Sequence, residues 1–222
     1  AAERAVAEQR DQVEKQARRA ETVVKFLSND LIRAVNPGGV AFEKEPSIRD
    51  LLEHASAHAA ERFTGDPAAL GSLHAALGAS WRSLGDRDRS EQHLRKAVVS
   101  YTQAFGKTAE PTLRAKYDLI RTLAYLQKFE DAERMLEQAD KEAGRLLEGD
   151  NVLAFDSALD HVVLNVQQQN VDRAMAALMR ADRLQRVLYA SDVQLAATLR
   201  INLSDMLLRD GKPDEAGTLL RE

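Results

Sequence analysis

LHAALGASWRSLGDRDRSEQHLRKA (residues 73–97) holds the only tryptophan of the chain, and how it is read decides the fold. Gly78 and Gly85 flank Trp81. A glycine inside a helix costs about 1 kcal/mol relative to alanine, so Gly78 in an apolar run needs a reason. Either the indole stacks on a ligand, or a second helix passes so close to position 78 that Trp81 fills the space beside the crossing. The second reading needs a partner helix, and the downstream residues supply one. Ser90, Leu94 and Ala97 place small, leucine and small on one helical stripe, at spacings of four and three.

That stripe recurs. DRSEQHLRKA (88–97) aligns with EDAERMLEQA (130–139), DRAMAALMRA (172–181) and DEAGTLLRE (214–222) at successive shifts of 42. Its leucine column reads Leu94, Leu136, Leu178 and Leu220, and Leu52 in SIRDLLEHA (47–55) continues it backwards. The small columns read Ser90, Ala132, Ala174, Ala216 and Ala55, Ala97, Ala139, Ala181, with Ile48 breaking the first of them. A fixed period of this length marks a stack of supersecondary units.

A second helix lies upstream in each unit. The first runs from Pro67, behind Asp66, to Leu84, and Gly85-Asp86 turns the chain. The others start near Pro111, after Asp150-Asn151 and after Ser191-Asp192, and turn at Gln127-Lys128, Gln169-Asn170 and Gly211-Lys212. Asp, Asn and Ser ahead of an apolar period are N-cap signals. The pattern predicts an all-α, right-handed α-solenoid of antiparallel helix pairs, preceded by a long N-terminal helix.

Residues 73–97 resemble a tetratricopeptide repeat through Leu77, Gly78, Trp81, Gly85, Ser90, Leu94 and Ala97. The later copies depart from that motif, with Ile120, Val162 and Ser204 in the glycine column and Leu123, Asn165 and Leu207 in the tryptophan column. A period of 42 is longer than the usual tetratricopeptide repeat and is similar to the kinesin-light-chain-like subclass, as is LAATLRINLSDMLLRDGKPDEAGTLL (195–220). The resulting organisation is a connector helix over 1–34 and an irregular first repeat over 35–65 with a loop at 36–46. Repeats then follow over 66–107, 108–149, 150–190 and 191–222, the last truncated.

Composition agrees with a helical binding protein. The 222 residues are 30% charged and only 5% aromatic, with few of the β-branched and aromatic residues that strands favour. A net charge of −4 gives no global basic field for nucleic acid, and the absence of cysteine removes disulfides and thiolate chemistry. No apolar run is long enough to span a membrane. Arginine outnumbers lysine 22 to 9, a bias that fits a GC-rich bacterial genome, and the chain opens without methionine, as a fragment would.

In the N-terminal section, Val13, Ala17, Ala20, Val24, Leu27 and Leu31 form an apolar stripe. The charged stretch before Val13 reads as a connector or weak coiled coil, or as a solvated helix end. Gly38-Gly39 has no following Gly-Lys-Ser/Thr and no preceding strand, so it reads as a turn and not a phosphate loop. A charged helix, VVKFLSNDLIRAVNP, a loop and SIRDLLEHASAHAAERF before the repeats resemble the extracytoplasmic region of single-pass CadC/ToxR-type winged-helix regulators and of transmembrane bacterial Ser/Thr kinases. That resemblance implies a periplasmic sensory or docking domain of an inner-membrane signalling protein, non-catalytic and without cofactor. A cytoplasmic scaffold and the regulatory region of such a kinase are the alternatives.

No catalytic, cofactor or metal site is expected. His54 and His58 lie four apart but lack a third ligand; His74 is read as packing, His161 as a tolerated core-edge residue in a leucine column, and His93 as facing solvent. Chemistry is expected instead on the concave face. The resemblance assigns to it side chains at fixed offsets from the glycine column, among them Arg82, Tyr117, Arg121, Tyr125, Gln167, Asp205 and Arg209, with Arg114 and Asn202 nearby. Arg121 between Tyr117 and Tyr125 suits a peptide carboxylate or acidic side chain, so Arg121→Ala is expected to weaken binding without lowering the melting temperature. The ligand implied is a protein or peptide; the truncated last repeat also suggests a homodimer. No nucleic-acid contact is expected, and any membrane contact lies in a span outside these residues.

Overall fold

The computed structural model describes residues 47–219, apart from the side chains of 59–62 and 219. The connector helix expected over 1–34, the loop at 36–46 and Leu220 lie outside these residues. All regular structure within them is helical: α1 (Ile48–Arg62), α2 (Pro67–Ser83), α3 (Arg87–Phe105), α4 (Glu110–Tyr125), α5 (Phe129–Ala143), α6 (Val152–Gln167), α7 (Val171–Leu188), α8 (Val193–Arg209) and α9 (Pro213–Leu219). A 3-10 turn, Gly144–Leu147, follows α5. The chain divides into two compact units, Ala1–Gly106 and Lys107–Glu222.

The helix hairpins are made the same way each time. Gly85, Gln127, Gln169 and Gly211 all take positive φ, between 59° and 79°, at a spacing of 42. At each, the following residue donates back to the tryptophan column: Asp86 to Trp81, Lys128 to Leu123, Asn170 to Asn165 and Lys212 to Leu207. This is the Schellman closure, which satisfies a terminal carbonyl and needs a left-handed residue. Glycine fills that position at no steric cost in two hairpins; glutamine accepts it in the other two. Asp66, Asp86, Asn151, Asn170 and Asp192 then cap helix starts through their side chains.

In the first unit α2 packs along α3. A Cβ on Gly78 would lie 2.7 Å from Leu94 Cγ, and one on Gly71 would lie 2.6 Å from Tyr101 Cδ1. The close approach inferred from Gly78 is therefore to the column leucine itself. Trp81 is 1% exposed and joins Leu52, Leu73 and Leu77 in one core cluster, so it is packing and not a stacking site. His93 is a correction. It does not face solvent but is buried, its Nδ1 3.0 Å from His74 Nδ1 and its Nε2 3.0 Å from Ser56 Oγ.

In the second unit α4–α5, α6–α7 and α8–α9 are hairpins, and α4 also packs on α6. The small and leucine columns are buried wherever they are described: Ala132, Leu136 and Ala139, then Ala174, Leu178 and Ala181, then Ala216. Each buried leucine contributes roughly 1.5–3 kcal/mol, so the repeat signal in the sequence is the core itself.

Candidate partner-binding face

The first helices of successive hairpins, α4 and α6, meet through a ladder of opposite charges. Arg114 Nη1 donates to Asp156 Oδ2 at 3.0 Å, and its Nε donates to Glu110 Oε1 at 3.0 Å. Two turns further on, Arg121 Nε donates to Asp160 Oδ1 at 2.5 Å, with Asp118 at 4.0 Å from Arg121. Arg114 and Asp156 are 42 residues apart, so the first rung joins equivalent positions of adjacent repeats, while Arg121 and Asp160 are 39 apart.

Asp160 is 0% exposed, and its Oδ2 has no hydrogen-bond partner among the described residues. Burial pushes its carboxyl up, while Arg121 pulls it back down. Burial likewise raises Asp156, against the pull of Arg114 and Arg121. Four carboxylates thus surround two guanidiniums, and the exposed edges of Asp118 and Asp156 leave this face with an excess of negative charge. Arg121 is not poised for an incoming carboxylate, because Asp160 already holds it.

Tyr117 is a second departure from the expected cluster. It is 1% exposed and turns away from α6's ladder, its hydroxyl donating to Asp140 Oδ1 on α5 at 2.8 Å. Burial first, then the Asp140 charge, pushes its phenol far up. Tyr125, at the end of α4, remains exposed. Gln167 is half-buried near the end of α6, and Asn202 is exposed on α8. Asp205 and Arg209 pair with one another on α8 at 2.9 Å, both well exposed. Val166, Ile201 and Leu208 add exposed apolar side chains to these first helices. Arg82 lies in the first unit, half-buried on α2.

Asp140 anchors a network that the sequence reading missed. Besides Tyr117 it accepts from Ser157 Oγ at 3.4 Å and meets His161 Nε2 at 2.8 Å. The signal was present in the columns: His161 stands where other repeats have Leu77, Leu119 and Leu203, and Asn165 where they have Trp81, Leu123 and Leu207. Two polar replacements one turn apart mark a local change of use. Among the described residues no cluster of three or more His, Cys, Asp or Glu is placed to hold a metal ion, and no helix is long and apolar enough to cross a membrane.

Tetratricopeptide-repeat family models match residues 75–110 and 197–222. The chain carries tetratricopeptide repeats. Their hairpins match solved tetratricopeptide structures over nearly the whole chain. The crystal structure of BtubC (BKLC) from P. vanneervenii gives a TM-score of 0.63 at 17% identity, covering 92% of this chain and 88% of that one. That of a Podosopora anserina putative kinesin light chain with nearly identical TPR-like repeats gives 0.61 at 15%, covering 93% and 91%. At these identities the likeness is one of fold. No curated protein matches the chain.

Proposed function

We propose that this protein is a non-catalytic protein-binding module whose first-helix face on α4 and α6 takes a cationic segment of a partner. The carrying observation is that Arg114 and Arg121 are both held by Asp156 and Asp160, with Glu110 and Asp118 beside them, so acids outnumber cations on this face. Tyr125 and Val166 supply apolar contact area near the ladder's end, which suits the methylene stems of lysine and arginine.

Fluorescence anisotropy with two peptide pools of equal length, one rich in Lys/Arg and one in Asp/Glu, tests this reading. Basic peptides are expected to bind, to weaken as salt rises, and to bind the Asp118→Asn variant less well. Preference for the acidic pool, or binding untouched by Asp118→Asn, overturns it. The wider setting, a periplasmic sensory part of a membrane-anchored regulator, rests on the motif order of the N-terminal section. Recovery of the native protein in the membrane fraction, with the repeats on the periplasmic side, tests that part separately.

A further inference from the structure

A cleft of about 550 Å³ opens between α5 and α7, the second helices of adjacent hairpins, with α6 as its floor. This is the side of the second unit opposite the charge ladder in each hairpin. Its floor carries His161 and Asn165, the two polar replacements in otherwise apolar columns. The equivalent cleft one repeat later, about 660 Å³ between α7 and α9, is lined at the same positions by Leu203 and Leu207. Its wall has Met175 and Met179 where the first cleft has Glu133 and Glu137, 42 residues earlier. The architecture therefore makes the cleft, and this one repeat makes it polar.

On its α5 and α6 sides the polar cleft presents open acceptors, with the Arg173 guanidinium at its rim. A carboxylate accepts, so His161 Nε2 carries the proton given to Asp140, and its Nδ1 is left as an acceptor. Asn165 is 6% exposed, and its Nδ2 donates to His161 O at 2.7 Å. Its Oδ1 then has no donor among the described residues. Glu137 on the α5 wall has no ion pair among them either, while Gln168 already donates to Glu133 at 2.8 Å. Asn165 Oδ1, His161 Nδ1 and the exposed Glu137 carboxylate thus present acceptors to one cleft, which a donor-rich group can pair at once. On the facing wall Ala176 and Ala177 leave room, and Arg180 is turned to Leu147 O at 2.6 Å.

We infer that this cleft binds the cationic end of a basic amino acid, a guanidinium or alkylammonium, set against Glu137, His161 Nδ1 and Asn165 Oδ1. Such a group carries several donors and no acceptor, which matches the open atoms. Arg173 at the rim is available to a carboxylate, so the ligand is either a free basic amino acid or a basic residue of a partner chain.

Isothermal titration calorimetry with L-arginine, a capped Ala-Arg-Ala peptide and L-citrulline, the uncharged isostere of arginine, tests the inference on the whole chain. L-arginine or the peptide is expected to bind at least about tenfold more tightly than citrulline. Binding of the free amino acid identifies a small-molecule site, and binding of the peptide alone identifies a partner chain. The His161→Leu/Asn165→Leu double variant restores the residues other repeats use. It is expected to keep or raise the melting temperature while losing binding, and Glu137→Gln to weaken binding with the fold intact. Peptide binding on the α4–α6 face is expected to persist in the double variant, which separates the two sites. No heat with any cationic probe, citrulline binding equal to arginine, or full binding by the double variant would each overturn the assignment.

Discussion

The guanidinium of Arg89 lies over the ring of Trp81, its Cζ 4.5 Å from the centroid. Arg49 approaches the same ring at 5.4 Å. Both cations are held from the side by acids, Arg89 by Glu53 at 2.5 Å and Arg49 by Asp86 at 2.8 Å. The diagnostic tryptophan is therefore closed off by charge from α1 and α3 as well as by the apolar core. Cation–π contacts of this kind are worth about 1 kcal/mol. Arg89→Ala is expected to destabilise the first unit by about that amount and to red-shift Trp81 emission as water reaches the ring. Since Trp81 is the sole tryptophan, urea unfolding followed by its fluorescence reads this unit alone. An unshifted spectrum would show that Arg89 does not shield the ring.

Gly78→Ala sets two effects against each other. Alanine gains about 1 kcal/mol in helix propensity. Its Cβ would stand 2.7 Å from Leu94 Cγ, a branch point that cannot swing aside without moving the leucine. Overpacking of a close core costs roughly 1–3 kcal/mol, so the expected result is net destabilisation. Adding Leu94→Ala should cost less in the Gly78→Ala background than in the wild type, because the clash is then relieved. The same urea titration measures all four proteins, and additivity of the two changes is the contrary result.

The His74–His93 pair gives the first unit a dependence on pH. Ser56 Oγ donates to Leu52 O at 2.6 Å and so must accept from His93 Nε2. His93 Nδ1 is then the acceptor for His74 Nδ1–H, and both rings are neutral. Burial, followed by the charge of His93 and Lys96, lowers His74 to about 4, and burial with Lys96 and Arg89 lowers His93 to about 4. The unfolded chain takes up protons near 6.5, where the folded chain does not. Stability is thus complete above pH 6.5 and falls as pH drops toward 4, by up to roughly 3 kcal/mol per ring. The urea midpoint from Trp81 fluorescence should decline over that interval, and His74→Gln/His93→Gln should flatten the decline. An equal slope in the double variant would assign it to the carboxylates.

The repeat, the turns and the caps were legible because each is local and returns every 42 residues. Leu94, Leu136 and Leu178 could be placed in the core from spacing alone, and Gln127 and Gln169 could be placed at turns by register with Gly85. What spacing within one helix does not disclose is which neighbour claims a side chain on its flank. His93 sits next to the leucine column, yet α1 covers it through Ser56. Tyr117 lies on the offset that the resemblance assigns to the groove, yet its long side chain runs under α5 to Asp140. The Arg121–Asp160 contact joins residues 39 apart on different helices, and no stripe on either helix announces it.

That contact reverses the expected behaviour of Arg121→Ala. The substitution leaves Asp160, fully buried, without its only hydrogen-bond donor among the described residues. Removing one partner of a buried pair costs about 3–5 kcal/mol, so the melting temperature should fall rather than stay constant. The loss should also depend on pH. Burial already raises the Asp160 carboxyl above its ordinary 3.8, and without the cation it rises further. A carboxyl that holds its proton more tightly when folded loses stability as pH rises, because the unfolded chain releases that proton first. Thermal melts followed by far-UV circular dichroism should therefore show a deficit for Arg121→Ala that is larger at pH 8 than at pH 5. Arg121→Met/Asp160→Leu, which replaces the pair by apolar groups, should recover most of it. A deficit of the same size at both pH values would mean that Arg121 acts through its packed methylenes and not through its charge.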